Sequence, residues 1–257
     1  MAEAAIDFIG VGKRYGDRAA LAGVSLTIPA GQFTALVGAS GSGKTTLLKT
    51  INRLVTLDAG TVKVAGEDVT ALPAPLLRRR IGYVFQEVGL FPHLTVAENI
   101  AITPRLLGWP AERMAARVAE LLELVALPAD IGDRAPATLS GGQRQRVGVA
   151  RALAAEPQVL LMDEPFGALD PVTRDALGTD VRALHDRLGL TTVMVTHDMG
   201  EAILLADRIL VLRAGRVIAD GTPAALVASA TDPDVRALID APRRQAERLA
   251  ERLKAPA

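Results

Sequence analysis

Cysteine is missing from all 257 residues, which excludes disulfides and thiolate metal sites and fits a reducing compartment. Net charge is missing too, because 29 basic side chains face 29 acidic ones. Such a balance leaves no general electrostatic footprint for nucleic acid, and no nucleic-acid partner is expected. Long apolar runs are also absent. "VLLM" and "AILLA" are far too short to cross a bilayer. The opening stretch, "MAEAAIDFIG", has neither the basic nor the long apolar region of a signal peptide. Neither internal repeats nor low-complexity linkers are visible. A role at a membrane therefore requires a partner chain. What the chain does have is apolar content, 49% of its residues, enough for a sizeable core in one large domain or a domain with a sub-domain.

Patterning suggests how that core is organised. "IDFIGVGKRY" and "VSLTIPAG" read as strands of an antiparallel sheet. "QFTALVG" is a buried strand running into a glycine loop, and "KTTLLKTINRL" carries helical spacing. "TVKVAGEDV" is a hairpin turning near Gly66, and "IGYVF" at 81–85 is a further buried strand. Residues 94–128 are mostly helical, with apolar positions three and four apart in "ERMAARVAELLELVAL". Strand and helix then alternate: "QVLLMDEP", "TRDALGTDVRALHDRL", "TTVMVTH", "MGEAILLA". "RILVLRAGRVIADGT" is a hairpin turning at Ala214-Gly215. The final 25 residues form a charged amphipathic helix, read as a solvated surface helix. The expected division is an α/β core over 1–96 and 151–222, a helical insertion over 97–150 and a helical tail over 223–257.

Several stretches carry chemistry. "GASGSGKTT" is a phosphate loop comprising Gly38, Ala39, Ser40, Gly41, Ser42, Gly43, Lys44, Thr45 and Thr46, with a strand before it and a helix after. Its backbone N–H groups surround phosphates, Lys44 supplies charge to the β- and γ-phosphates, and the Thr45 hydroxyl can ligate Mg²⁺. Asp163 ends an apolar strand and suits a hold on Mg²⁺, while Glu164 can polarise an attacking water. His197 follows another apolar strand. Alone it reads more readily as structural, but strand tips of an open α/β sheet are where ligands bind. Gln86 follows "IGYVF" and could ligate Mg²⁺ or touch the lytic water, although a solvated loop glutamine fits as well. Tyr15, one of two tyrosines, could stack on adenine or be a partly exposed strand aromatic. "LSGGQRQRVGVARAL" is a second phosphate-facing helix start, capped by Ser140 and followed by Gly141, Gly142 and Gln143.

Together and in this order, these residues resemble the nucleotide-binding subunits of ABC transporters, over nearly the whole chain. "LSGGQ" is similar to that family's signature, which ordinary P-loop proteins lack. The resemblance implies a RecA-like core with a mixed sheet, an N-terminal antiparallel β subdomain and an inserted α-helical subdomain. It assigns Tyr15 to adenine, residues 38–46 to the phosphates, and Thr45, Gln86 and Asp163 to Mg²⁺. Glu164, His197, Gln86 and Lys44 take catalytic roles. Ser140, Gly141, Gly142, Gln143 and Asp170 serve ATP bound to a second copy, or to a similar subunit, packed head to tail. That would explain why one chain has two phosphate-facing helix starts. The importer branch looks nearest, because the chain has no membrane spans of its own and "VFQEVGLFPHLTVAENI" resembles importer segments that meet a permease. "LLKTINRLVTLDAGTVKVAGEDV" resembles subunits of osmoprotectant importers. The implied partners are an integral-membrane permease and a solute-binding protein, and the implied place is the cytoplasmic face of the cell membrane. An exporter subunit, another importer or a non-transport ABC ATPase are the other readings.

Overall fold

The structure is a computed structural model and describes residues 4–254. Strands β1 (Ala4–Tyr15) and β2 (Arg18–Pro29) form a long hairpin. Strand β3 (Phe33–Val37) feeds the phosphate loop and helix α1 (Lys44–Ile51). Strands β4 (Ala59–Val64) and β5 (Glu67–Asp68) make the expected hairpin. Its turn holds Ala65 at φ 49° and Gly66 at φ 78°, the two left-handed positions of a tight hairpin turn. Helix α2 (Ala74–Arg79) leads to β6 (Ile81–Val84). Four helices follow before the next strand: α3 (Val96–Ile100), α4 (Ile102–Leu106), α5 (Ala111–Leu124) and α6 (Gly141–Leu153). The chain continues through β7 (Val159–Asp163), α7 (Pro171–Leu188), β8 (Thr191–Val195), α8 (Met199–Leu205), β9 (Arg208–Arg213) and β10 (Arg216–Gly221). It closes with α9 (Pro223–Ser229) and α10 (Pro233–Lys254).

The strands divide into two sheets. An antiparallel sheet has the order β2-β1-β4-β5, and a six-stranded mixed sheet has the order β10-β9-β3-β8-β7-β6. Within the second sheet only β10 runs antiparallel. Every residue of β3, β7 and β8 is buried, as expected where both faces of a parallel sheet are covered. Alternation then sorts their side chains. Phe33, Ala35, Met162 and Met194 face one core, together with α3, α5, α6 and α7. Leu36, Leu161, Val193 and Val195 face the other, which lies against the antiparallel sheet.

Helix α1 belongs to that second core through Leu47, Leu48 and Ile51, all with no exposed surface. Burying three such side chains is worth at most about 5–9 kcal/mol, enough to fix the helix and the Lys44, Thr45 and Lys49 side chains it carries. The helical run between β6 and β7 has no core of its own. Its Val96, Ile100 and Leu121 join the same cluster as Phe33 and Ala35.

The tail differs from its expected solvated state. Val235 (1% exposed) and Ile239 (8%) on α10 are buried in the main core, whereas the opposite face of the helix is exposed and from Arg243 to Leu253 every side chain lies open. Spacing of four apolar positions on one helix face is the physical reason. The last three residues of the expected helix, 255–257, lie outside the described part.

Candidate functional site

Parallel strands deliver the predicted residues to one edge of the six-stranded sheet. The phosphate loop follows β3, Gln86 follows β6, Asp163 and Glu164 end β7, and His197 follows β8. Carboxyl ends of parallel strands are the usual binding edge of such sheets.

The loop is closed by contacts that tolerate only glycine at two places. Gly38 has φ 147°, and a Cβ there would stand 2.2 Å from the Leu212 carbonyl oxygen. Gly43 has φ 108°, and its Cβ would stand 2.4 Å from the Ala20 carbonyl oxygen. Any side chain at either position would force the loop open. Lys44 is 6% exposed and donates to the Gly38 carbonyl at 2.7 Å and the Ala39 carbonyl at 3.0 Å, so its ammonium lies across the loop. Burial lowers the Lys44 pKa, and the charges of Glu164 and Asp163 oppose that effect. Ser40 and Gly41 are exposed at the loop's tip, whereas Ser42 is 5% exposed with its hydroxyl turned inward.

Asp163 is 4% exposed, and each of its oxygens has a partner. Its Oδ1 accepts from the Thr45 hydroxyl at 2.9 Å. Its Oδ2 accepts from the Tyr83 hydroxyl at 3.2 Å and pairs with Lys49 Nζ at 3.2 Å. Burial first, and the Asp163 charge second, push the Tyr83 phenol far above its ordinary pKa, so it stays a donor. Thr45 and Asp163 offer hard oxygen donors side by side, the ligand type that Mg²⁺ takes. No cluster of three or more acidic or histidine side chains suited to a metal exists among the described residues. A cation held here would therefore draw most of its ligands from water and phosphate.

Glu164 stands one residue beyond, in the left-handed region at φ 46°, a conformation that costs a non-glycine residue about 1–2 kcal/mol. Its N–H donates to the Val195 carbonyl at 2.9 Å, which ties the strained residue to β8. The Glu164 carboxylate has partners distinct from those of Asp163. Glu164 Oε2 accepts from Gln86 Nε2 at 3.4 Å and lies 3.2 Å from His197 Nδ1. Gln86, Glu164 and His197 thus form one group, and Thr45 and Asp163 another. Gln86, expected beside the metal ligands, here meets Glu164.

The "LSGGQ" helix start is built as a capping box. Gln143 N–H donates to Ser140 Oγ at 3.2 Å, and Ser140 N–H donates to Gln143 Oε1 at 2.9 Å. The N–H groups of Gly141 and Gly142 have no acceptor among the described residues. Gly142 is needed locally, since its Cβ would approach the Thr173 methyl at 2.5 Å. Gly141 is different. A Cβ there would meet nothing of its own chain closer than 3.9 Å, and φ is not left-handed. No hydrogen bond or ion pair joins residues 38–46 to residues 139–143 among the described residues. Asp170 caps α7 by accepting from Thr173 N–H at 3.0 Å, and Thr173's hydrogen bonds lower its pKa.

Tyr15 is 54% exposed at the tip of the β1–β2 hairpin, with Lys13 Nζ 5.5 Å from its ring centre. Its register partner Arg18 donates to the Gly41 carbonyl at 2.8 Å and so anchors the hairpin to the phosphate loop. Arg18, Tyr83 and Lys49 are neighbours of the site that sequence reasoning passed over. Lys49 had a signal, since it lies four residues from Thr45 on one helix face. Tyr83 and Arg18 had none, because their contacts depend on strand order.

Comparison with known proteins agrees with this geometry. The ABC transporter family model matches residues 21–167. The glycine betaine uptake system ATP-binding protein YehX of Escherichia coli is 49% identical over 231 residues, covering 90% of this chain and 75% of that one. The choline transport ATP-binding protein OpuBA of Bacillus subtilis is 49% identical over 230 residues, and there the chain spans 60% of the relative's length. Among solved structures, the dimeric bacterial ABC transporter cassette MJ0796 superimposes with a TM-score of 0.77 at 35% identity, over 84% of this chain and 98% of that one. Phosphate loop, paired carboxylates, capped glycine helix and these matches lead to one conclusion: the chain belongs to the ABC transporter family, as one of its ATP-binding cassettes.

Proposed function

We propose that this cassette is the ATP-hydrolysing subunit of an importer for quaternary-amine osmoprotectants, and that it works as a pair of cassettes beneath a separate permease. The start of α6 carries the paired arrangement. Two N–H groups and the positive end of a 13-residue helix have no anion of their own chain to serve, and Gly141 leaves space that its own chain does not fill. ATP on the phosphate loop of one cassette fills that space in the other. A post-hydrolysis cassette bound to ADP and Pi, 34% identical to this chain, is likewise dimeric.

In this reading Tyr15 stacks on adenine, the loop N–H groups and Lys44 hold the phosphates, and Thr45, Asp163 and Gln86 would hold Mg²⁺. Bound Mg²⁺ would offset the charge developing on the phosphates. Glu164 accepts a proton from the attacking water, and His197 and Gln86, already on its carboxylate, keep it aimed. Ser140, Gly141, Gly142, Gln143 and Asp170 complete the partner's site. Release of phosphate removes the ligand that joins the two cassettes, so they separate. A groove of about 420 Å³ lies beside Gln86, between β6 and the helical run, and is lined by Phe85, Glu87 and Phe91. It suits a helical segment of the permease, at the cytoplasmic face of the membrane. No helix of the described residues is long and apolar enough to cross a membrane.

The relatives named for glycine betaine and choline support the solute class. A second reading, sulfate or thiosulfate uptake, is favoured by a Mycolicibacterium paratuberculosis import subunit for those anions that is 49% identical over 229 residues. The purified complex, with its permease and solute-binding protein, decides between them. Glycine betaine or choline should raise its ATPase rate. Stimulation by sulfate alone would reject the osmoprotectant reading.

A further inference from the structure

Asp163 has two oxygens, and the structure treats them differently. Oδ2 takes the Tyr83 hydroxyl and the Lys49 ammonium, both at 3.2 Å, whereas Oδ1 takes only the Thr45 hydroxyl at 2.9 Å. Strand parity produces this. Tyr83 on β6 lies opposite Leu161 on β7, and Asp163, two residues on, shares the Leu161 face. That face looks at α1, where Thr45 and Lys49 are one helical turn apart. A buried carboxylate with one anchored oxygen cannot rotate freely about its Cβ–Cγ bond, so the other oxygen stays toward Thr45. The Tyr83 ring is itself held, 4.5 Å from the Phe85 ring.

We propose that Tyr83 is a positioning residue for the metal–nucleotide site: with Lys49 it fixes Asp163 through Oδ2 and so presents Oδ1, beside Thr45, to the divalent cation that accompanies ATP. Tyr83 acts through Asp163 and touches neither nucleotide nor metal. The inference deepens the reading of Thr45 and Asp163 as the cation's protein ligands, and it rests on that reading.

The test uses the full chain with ATP, in a Glu164→Gln background so that nucleotide is not consumed, and Mn²⁺ as the spectroscopic probe. Electron paramagnetic resonance separates protein-bound Mn²⁺ from free Mn²⁺·ATP during a titration. Tyr83→Phe deletes one oxygen and keeps the ring, so the melting temperature should stay within a few degrees. Mn²⁺ should bind the chain–ATP complex about tenfold more weakly, the scale of one lost hydrogen bond to a charged group. ATP affinity without metal should stay within about twofold. Once Asp163→Asn has removed the carboxylate, Tyr83→Phe should add nothing, because two changes on one path are not additive. An unchanged Mn²⁺ titration for Tyr83→Phe, or a shift of the same size with and without the Asp163 carboxylate, would overturn the proposal. If Asp163→Asn itself leaves Mn²⁺ binding intact, the reading of Asp163 as a ligand fails first, and the proposal with it.

Discussion

Glu164→Gln is the substitution whose consequences the geometry fixes best. The glutamine keeps the side chain's length and can keep contacts with Gln86 and His197, which now lie 3.4 and 3.2 Å from Glu164 Oε2. It cannot accept the proton of an attacking water. A general base is worth about 10²- to 10⁴-fold, or roughly 2.7–5.4 kcal/mol of barrier. Phosphate release should therefore fall at least about 100-fold, with ATP affinity unchanged. Because the ligand joining two cassettes then persists, ATP should shift the chain to a dimer in gel filtration. A companion variant separates chemistry from folding. Glu164→Gly removes the same base but also relieves the left-handed conformation at φ 46°. The relief of about 1–2 kcal/mol at least matches the extra backbone entropy of glycine, about 0.5–1 kcal/mol. Glu164→Gly should thus be equally inactive yet melt no lower than the parent and up to about 6 °C higher. A Glu164→Gln chain that hydrolyses ATP within about threefold of the parent rate would refute the assignment of the base.

Further outcomes follow from the same geometry. Lys44→Ala removes a charge-assisted contact with the phosphates and should weaken ATP binding by about 1.5–3 kcal/mol in calorimetry, with adenosine binding untouched; equal losses for both ligands would contradict a phosphate role. A Cβ at Gly141 meets nothing in its own chain closer than 3.9 Å and the backbone there is not left-handed, so the Gly141→Asp monomer should fold and bind ATP as before. Its carboxylate would face the partner's γ-phosphate in a shielded site, so ATP-dependent dimerisation and hydrolysis should both be lost; an active Gly141→Asp dimer would contradict the trans role.

The parts of this account that were legible in the sequence are those governed by local rules. The phosphate loop could be read because Gly38 and Gly43 mark positions where a Cβ would strike a carbonyl, and because β3 before it is apolar at every position but Thr34. The capped start at Ser140 could be read because a serine followed three residues later by a glutamine is a local pattern. The residues that support Asp163 could not be read. Tyr83 reaches it only because β6 pairs with β7, 80 residues on in sequence, and nothing local announces that pairing. Arg18 reaches Gly41 for a similar reason. Glu164's left-handed backbone accompanies a long-range N–H bond to Val195 and has no counterpart in residue propensity. On α10 the buried face is only Val235 and Ile239, four residues apart among many charges, a pattern too short to stand out from a solvated helix.

If the glycine start of α6 serves the nucleotide of another copy, disulfide cross-linking between a Ser40→Cys chain and a Ser140→Cys chain will show it. Both positions are exposed, and the cysteine-free sequence makes any bond unambiguous. With Glu164→Gln in both chains and ATP present, oxidation should give a covalent dimer of the two different chains. Without nucleotide the yield should drop sharply, and neither single-cysteine chain alone should form that species. The double variant Ser40→Cys/Ser140→Cys should then link between chains and not within one. Bonds formed only inside single chains, or a dimer yield indifferent to ATP, would contradict the head-to-tail account.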